Sequence, residues 1–356
     1  MTGAQATDGG ALAAARLAAQ RLTGTPARDP VDVVGRLLAV QGQDPRGLRL
    51  AIRSRTRGLH AADVDRALSD DRSLVVTWLN RGTLHLVRAE DHWWLRELTA
   101  PAMAAQIRRR LAQEGVSPDA AERGVARIER ALTDDGPLSR GELRERVEAA
   151  GVPTAGQAMI YLLIVAATRG LVVRGPVVGT EQNYVLVRDW LGAPLREFDR
   201  DAALAELARR YLAGHGPADE RDLARWVGLP LRDARRGLAA VAADLVTRAD
   251  GRLDLPRGDG PAPGLPAPRL LGPFDPVLHG WDGRDWLGAA GRAVTVNGIF
   301  RPVILVDGRA AGTWSMPAGR VELAPFTDPP DWGPAVAEAL RAEAADVRRF
   351  LAPRPG

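Results

Sequence analysis

The sequence predicts an α+β chain made of tandem winged-helix units followed by a C-terminal antiparallel β-meander. Three observations carry that prediction. A helix-opening motif occurs twice on one plan, Gly136-Pro137-Leu138-Ser139-Arg140-Gly141-Glu142-Leu143 and Gly216-Pro217-Ala218-Asp219-Glu220-Arg221-Asp222-Leu223, with Leu143 and Leu223 80 residues apart. Each copy leads into an apolar helical stretch and then two strand-like runs, the helix, helix, hairpin order of a winged helix. Near the C-terminus, Asn297-Gly298 and Asp307-Gly308 punctuate further strand-like runs, as two-residue hairpin turns do.

The elements follow in order. Apolar residues at helical spacing predict helices over 12–22, 30–39, 46–56 and 62–68. Strands at 74–79 and 83–87 then flank Asn80-Arg81-Gly82, so this first, looser unit also ends in a hairpin. A helix over 119–132 precedes the first motif, where Ser139 is the expected N-cap and Glu142 stands at the capping-box position. A helix over 157–169 follows, and runs at 171–173 and 184–187 form its wing. The second copy has a helix at 201–212, Asp219 and Asp222 in the capping positions, and a helix at 231–241. Its wing is shorter, 244–248 and 252–255 around Asp250-Gly251. Residues 257–264, rich in Gly and Pro, read as a linker. Strands at 294–296, 300–306 and 309–315 make the meander, and an amphipathic helix over 335–351 packs back on it. The division expected is therefore 10–100, 101–192, 193–256 and 257–356: three winged-helix units, then linker, β-rich domain and terminal helix.

Composition narrows the chemistry. At 356 residues, 46% hydrophobic and 26% charged, the chain is long enough for several globular cores. With Cys at 0, disulfides, thiolate metal sites, iron–sulfur clusters and a cysteine nucleophile are excluded. All 48 basic residues are arginine. No side-chain amine can form a Schiff base, and no P-loop lysine exists. Drift in a GC-rich genome explains that usage equally well and leaves the exclusions standing. The net charge of +4 permits nucleic acid as a partner without demanding it. The five histidines lack zincin spacing, and neither a nucleophile elbow nor a dinucleotide fingerprint occurs, so no metal or cofactor is expected. Arg16 and Arg21 interrupt the alanine-rich start, and no run approaches a membrane span, so the expected location is cytoplasmic.

One segment stands out locally. In Leu37-Leu38-Ala39-Val40-Gln41-Gly42-Gln43-Asp44-Pro45-Arg46 an apolar helix runs into two glutamines, and Pro45 biases Asp44 away from helix. In extended chain, residues two apart face one side, so Gln41 and Gln43 could serve one pocket; the alternative is a polar helix end. The hairpin residues Arg81, Thr83 and His85 read either as groove probes or as a turn and its strand. Trp78 and Trp93-Trp94 read as core aromatics, and Phe274-Asp275-Pro276 as a structural turn.

Together these segments resemble the AlkZ/YcaQ-type bacterial DNA glycosylases. The likeness rests on residues 38–50 and 77–87, on Gly216-Pro217-Ala218 through Trp226, and on Leu270-Leu271-Gly272-Pro273-Phe274-Asp275. Asn297-Gly298-Ile299-Phe300-Arg301-Pro302 and Gly312-Thr313-Trp314 extend it, so that it covers roughly 10–325 in order. What the resemblance implies is a C-shaped, DNA-wrapping assembly of winged helices that excises N7-alkylated purines. Some members unhook interstrand crosslinks, and some protect antibiotic producers from their own alkylating products. The family's catalytic pattern, glutamine, apolar residue, then glutamine or aspartate, falls on Gln41-Gly42-Gln43, with Gly42 in place of the usual bulkier residue. The resemblance also implies DNA contacts by Arg81, Thr83, His85 and Arg46. Without lysine, the enzyme expected is monofunctional, acting as a nucleoid-associated monomer on double-stranded DNA. The competing reading is a winged-helix regulator or a nonenzymatic lesion binder, in which the glutamines are incidental.

Overall fold

Capping chemistry sets the helix starts. Asp29, Asp44, Ser117 and Ser139 each accept a backbone N–H of the first turn, and proline follows the first three. The computed structural model describes residues 3–179, 181–194, 197–256, 264–330 and 332–354. The chain begins with α1 (Gly3–Ala19), α2 (Pro30–Leu37), a short extended piece β1 (Val40–Gln41), α3 (Pro45–Arg53) and α4 (Ala61–Ser69). It continues with β2 (Leu74–Leu79), β3 (Thr83–Arg88), α5 (His92–Gln113), α6 (Pro118–Asp135), α7 (Arg140–Ala149) and α8 (Ala158–Thr168). Then come β4 (Val172–Val178), β5 (Glu181–Leu186), α9 (Val187–Trp190), α10 (Arg200–His215), α11 (Glu220–Val227) and α12 (Leu231–Ala240). The last elements are β6 (Val246–Thr247), β7 (Leu253–Asp254), β8 (Arg269–Leu271), β9 (Val303–Val306), β10 (Arg309–Ser315), β11 (Glu322–Pro325) and α13 (Pro334–Leu351). The mixed helix and antiparallel sheet expected from the sequence is thus the fold observed. Among the described residues no helix is long and apolar enough to cross a membrane.

Two compact units divide the chain: one holds residues up to Val64, Leu204–Trp226 and those from Pro230 on, the other Asp65–Ala203 and Val227–Leu229. In the second, strands run β3, β2, β4, β5, every neighbour antiparallel. The β2–β3 hairpin runs from Leu74 opposite Arg88 to Leu79 opposite Thr83. Helices α5, α6 and α8 bury Ile107, Ile128, Leu162 and Leu163 in one core that reaches Trp78 and Tyr184. Those two rings stack at 6.3 Å.

In the first unit β11, β10, β9 and β8 form an antiparallel sheet, with α13 and α3 packed near β8. Leu17, Leu271, Val277, Leu287 and Val303 fill its core. Arginine pairs tie the pieces together. Arg55, fully buried, holds both oxygens of the fully buried Asp275 at 2.9 Å and also donates to Gln20 and Ala51. Arg16 donates to Asp222 and to the Pro217 carbonyl and lies over the Trp281 ring; burial lowers its pKa to about 10.

Both copies of the internal motif build the same local structure. Ser139 and Glu142 form the expected capping box, and Asp219 and Asp222 bond each other's backbone N–H in the same reciprocal way. Each copy adds a pairing. Leu138, just before its cap, exchanges backbone hydrogen bonds of 3.2 and 2.7 Å with Tyr184 of the following hairpin; Ala218 does so at 3.0 and 2.8 Å with Leu253.

Several elements differ from the sequence expectation. The hairpin of β2 and β3 pairs through Val76 with Arg174 of β4, a pairing the sequence does not predict. Residues 92–113 carry a 22-residue helix that was not expected, with Pro101 inside it. Pro101 stands on the exposed face, while Leu95, Leu98, Met103, Ile107 and Leu111 are buried. The strand expected at 294–296 is only a bridge between Val294 and Phe300. Thr295 closes that loop by accepting the Ile299 N–H on its hydroxyl, which competes with strand pairing. The next strand starts at Val303, after Pro302, which has no N–H to donate. The proposed linker, apart from Gly264, lies outside the described residues.

Candidate functional site

Gln41 lies in extended chain and Gln43 in the bend that leads into α3, so neither glutamine continues helix α2. Helix α2 ends at Leu37, and Leu38 turns the chain at φ 65°, ψ −47°. The Ala39 N–H donates to the Leu37 carbonyl at 2.8 Å, which makes this a γ-turn of the positive-φ kind, rare and strained for a residue with a side chain. Leu38 is fully buried, so packing holds the strain in place. Val40 and Gln41 are extended, and Asp44 at φ −111°, ψ 115° accepts the Gly47 N–H and opens α3.

Burial distinguishes the pair. Gln41 is 6% exposed, whereas Gln43 is exposed and Gly42 between them is buried. Gln41 is thus largely shielded from solvent, while Gln43 is open to it.

Helix α3 carries the motif against the segment after β8 at backbone contact. A Cβ on Gly47 would lie 2.4 Å from the Pro273 carbonyl oxygen, and one on Gly272 2.7 Å from the Leu50 Cβ. Beside this contact opens a cavity of about 610 Å³, lined by Asp44, Arg46 and Leu50 from the motif side. Phe274, Phe300 and Trp314 line it from the β-rich part, with Arg301 and Glu322 adding charge. The Phe274 and Phe300 rings lie 5.8 Å apart, and Phe274 itself has a positive φ of 55°. Sequence reading took residues 274–276 for a structural turn. That holds for Asp275, which caps the following 3-10 turn and pairs with Arg55, but Phe274 faces the cavity. The sequence signal for this wall is the set of motifs at 270–275, 297–302 and 312–314, which the fold brings together.

The remaining expected site residues are placed as follows. Arg46 is exposed, and its guanidinium rests against the Met316 sulfur at the cavity. Arg81 sits at the tip of the β2–β3 hairpin at φ 59°, ψ 13°, with the backbone of Gly228 packed against it. Thr83 is half-buried and begins β3. His85 is 2% exposed, and its Nδ1–H donates to the Thr83 carbonyl at 2.9 Å, so it braces the hairpin. Trp78 is in the core as expected, while Trp93 and Trp94 are half-buried, the latter donating to Asp91. Asn80 beside the hairpin tip is fully buried with neither side-chain oxygen nor nitrogen hydrogen-bonded. Burial holds the His92 and His215 imidazoles neutral, with pKa values of about 3, so neither is a cationic acid at neutral pH.

Three comparisons bear on this arrangement. Residues 34–350 match the sequence model of a family described as DNA glycosylase AlkZ-like. A relative from Streptomyces sahachiroi, described as an interstrand DNA cross-link repair glycosylase, is 28% identical over 343 residues, 89% of this chain and 90% of its own. A solved structure, the Streptomyces sahachiroi DNA glycosylase AlkZ, is similar with a TM-score of 0.78 at 26% identity, covering 96% of both chains.

Proposed function

The chain belongs to the AlkZ-like DNA glycosylase family, and on that premise we propose that it hydrolyses the N-glycosidic bond of N7-alkylated purines in duplex DNA, using Gln41 and Gln43. The observation that carries this reading is the non-helical Gln41-Gly42-Gln43 segment, held between the Leu38 γ-turn on one side and the Asp44 cap on the other.

Alkylation at N7 puts positive charge on the purine. When the C1′–N9 bond breaks, its electron pair returns to the ring and a neutral base leaves, so little acid help is needed. Water adds its oxygen to C1′ and its proton passes to solvent. The protein's task is the sugar side. Amide oxygens of Gln43 and Gln41 accept hydrogen bonds from the water and face the developing oxocarbenium charge, and preorganisation supplies the rate. A neutral amide gives an unalkylated nucleoside little assistance, which favours damaged bases.

With no lysine side chain in the sequence, the opened sugar meets no side-chain amine, and the product is an intact abasic site. Residues 101–192 and 193–256 are read as winged helices on the strength of the repeated cap and strand pairing, with 10–100 as a looser copy. Arg46, Arg81 and Thr83 are the DNA contacts of this reading, with His85 behind them. The relative's named role extends the reading to interstrand crosslinks joined through N7.

Base release from duplex DNA carrying N7-methylguanine, developed with heat or alkali, tests it. Gln43→Ala should lose about 10²- to 10³-fold in rate while binding DNA normally. Full activity in that variant would remove the motif from catalysis. Strand cleavage by wild type without heat or alkali would refute the monofunctional reading.

A further inference from the structure

We propose that Arg53 is a positioning residue for base release: gripped by Glu343 and Asp346 of α13, it sets how far α3 sits along the 270–273 segment and so where Gln43 stands. The proposal rests on the glycosylase reading and adds to it the part of the chain that holds the motif in place.

Helix α3 begins two residues after Gln43 and ends at Arg53. One face of it, Gly47, Leu50 and Arg53 at every third position, rides along a single segment. Gly47 meets Pro273 and Leu50 meets Gly272 at the close approaches described above, and Arg53 donates to the Leu270 carbonyl at 2.9 Å. The first two contacts are steric, so they fix how near the helix lies. The Arg53 hydrogen bond is directional, so it fixes how far the helix has slid.

The grip on Arg53 involves more than one partner. Its guanidinium is buried and, besides Leu270, donates to Glu343 at 2.7 Å and to Asp346 at 2.9 Å. Glu343 in turn accepts the Leu270 N–H at 3.0 Å. Strand β8 stands at the end of the sheet order β11, β10, β9, β8, and Leu270 is fully buried there. Its outward backbone groups need partners, and Glu343 takes the N–H while Arg53 takes the carbonyl. Helix α3, strand β8 and helix α13 thus lock around one residue.

Register, more than stability, is what such a lock supplies. Burying an ion pair costs much of what the pair returns, and an apolar contact of similar shape holds a helix at least as firmly; fixing register is the best-attested use of a buried pair. The planar guanidinium suits this, because its donors point in fixed directions. A nine-residue helix, about 13 Å long, moves as a unit, so a slide at Arg53 is a slide at Gln43. A misplacement of about 1 Å costs a reaction up to about 10²-fold in rate.

The test is a double-variant cycle on single-turnover release of N7-methylguanine from duplex DNA, run well below every thermal midpoint. Arg53→Lys keeps the charge and loses the fork. Alone, it should lower the single-turnover rate by about tenfold or more and leave DNA affinity within about twofold. Added to Gln43→Ala, it should lower the rate by less than about twofold, because the amide whose position it sets is gone. Glu343→Ala frees the fork from the α13 side, should show the same pattern, and decides the matter if Arg53→Lys does not fold. An unchanged rate in a folded single variant, or an equal loss with and without Gln43, overturns the positioning role and leaves the glycosylase reading intact. No release by wild type, or full release by Gln43→Ala, overturns that reading and this proposal with it.

Discussion

Gly47 and Pro273 meet backbone to backbone: the space where a Cβ of residue 47 would lie is 2.4 Å from the Pro273 carbonyl oxygen. The obstacle is main chain, so it cannot rotate away as a flexible side chain would. Gly47→Ala must push α3 off the 272–274 segment, at a cost of about 1–3 kcal/mol typical of overpacking. Because α3 begins at Asp44, the same shift moves Gln43. The expected outcome is a lower thermal midpoint together with reduced base release from N7-methylguanine DNA. An unchanged midpoint would show that the segment yields easily.

The bidentate Arg55–Asp275 pair, fully buried on both sides, is the next most consequential contact of this unit. Removing one partner strands the other charge away from water. Asp275→Ala should therefore destabilise by about 3–5 kcal/mol, whereas a joint apolar replacement of both residues should cost much less. Urea unfolding of the single and double variants checks this through the midpoint at constant slope.

Much of this architecture was legible because it is written in local chemistry. Ser139 with Glu142, Asp44 before Pro45, and Asp307-Gly308 between β9 and β10 each act within a few residues, and their elements appear where the spacing placed them. What stayed hidden depends on distant partners. The helix over 92–113 runs through Pro101, which stands on its exposed face, while its buried face packs Leu95, Leu98, Met103, Ile107 and Leu111. The pairing of β2 with β4 joins Val76 to Arg174 across nearly a hundred residues, which no local pattern encodes. Gln41 is extended, one of two open alternatives, but Gln43 stands in a bend, and the γ-turn at Leu38 that starts the segment has no sequence signature. Phe274 looked structural because its role depends on Phe300 and Trp314, far along the chain.

Asn80 offers a prediction of opposite sign. Its amide is fully buried, and neither its oxygen nor its nitrogen is hydrogen-bonded. An unmet buried polar group is costly, and an apolar residue of similar size removes that cost. Asn80→Leu should raise stability by about 1–3 kcal/mol, read from the urea midpoint. A fall would show that ordered water satisfies the amide in solution.

The buried histidines set the pH dependence. His92 and His215 have folded-state pKa values of about 3, against an unfolded value near 6.5. Between those values the unfolded chain binds protons that the native chain refuses, so their contribution to stability is complete above pH about 6.5 and is lost as pH falls towards 3. Each imidazole contributes a slope of up to about 1.4 kcal/mol per pH unit in that window. Burial raises the pKa of Asp222, which works the other way: its native carboxyl takes up a proton first and offsets part of the loss. Unfolding midpoints measured from pH 7 down to pH 4 should therefore fall with acid, and His92→Phe should flatten the profile by about one imidazole's share. The same slope in that variant would mean that His92 is not buried neutral.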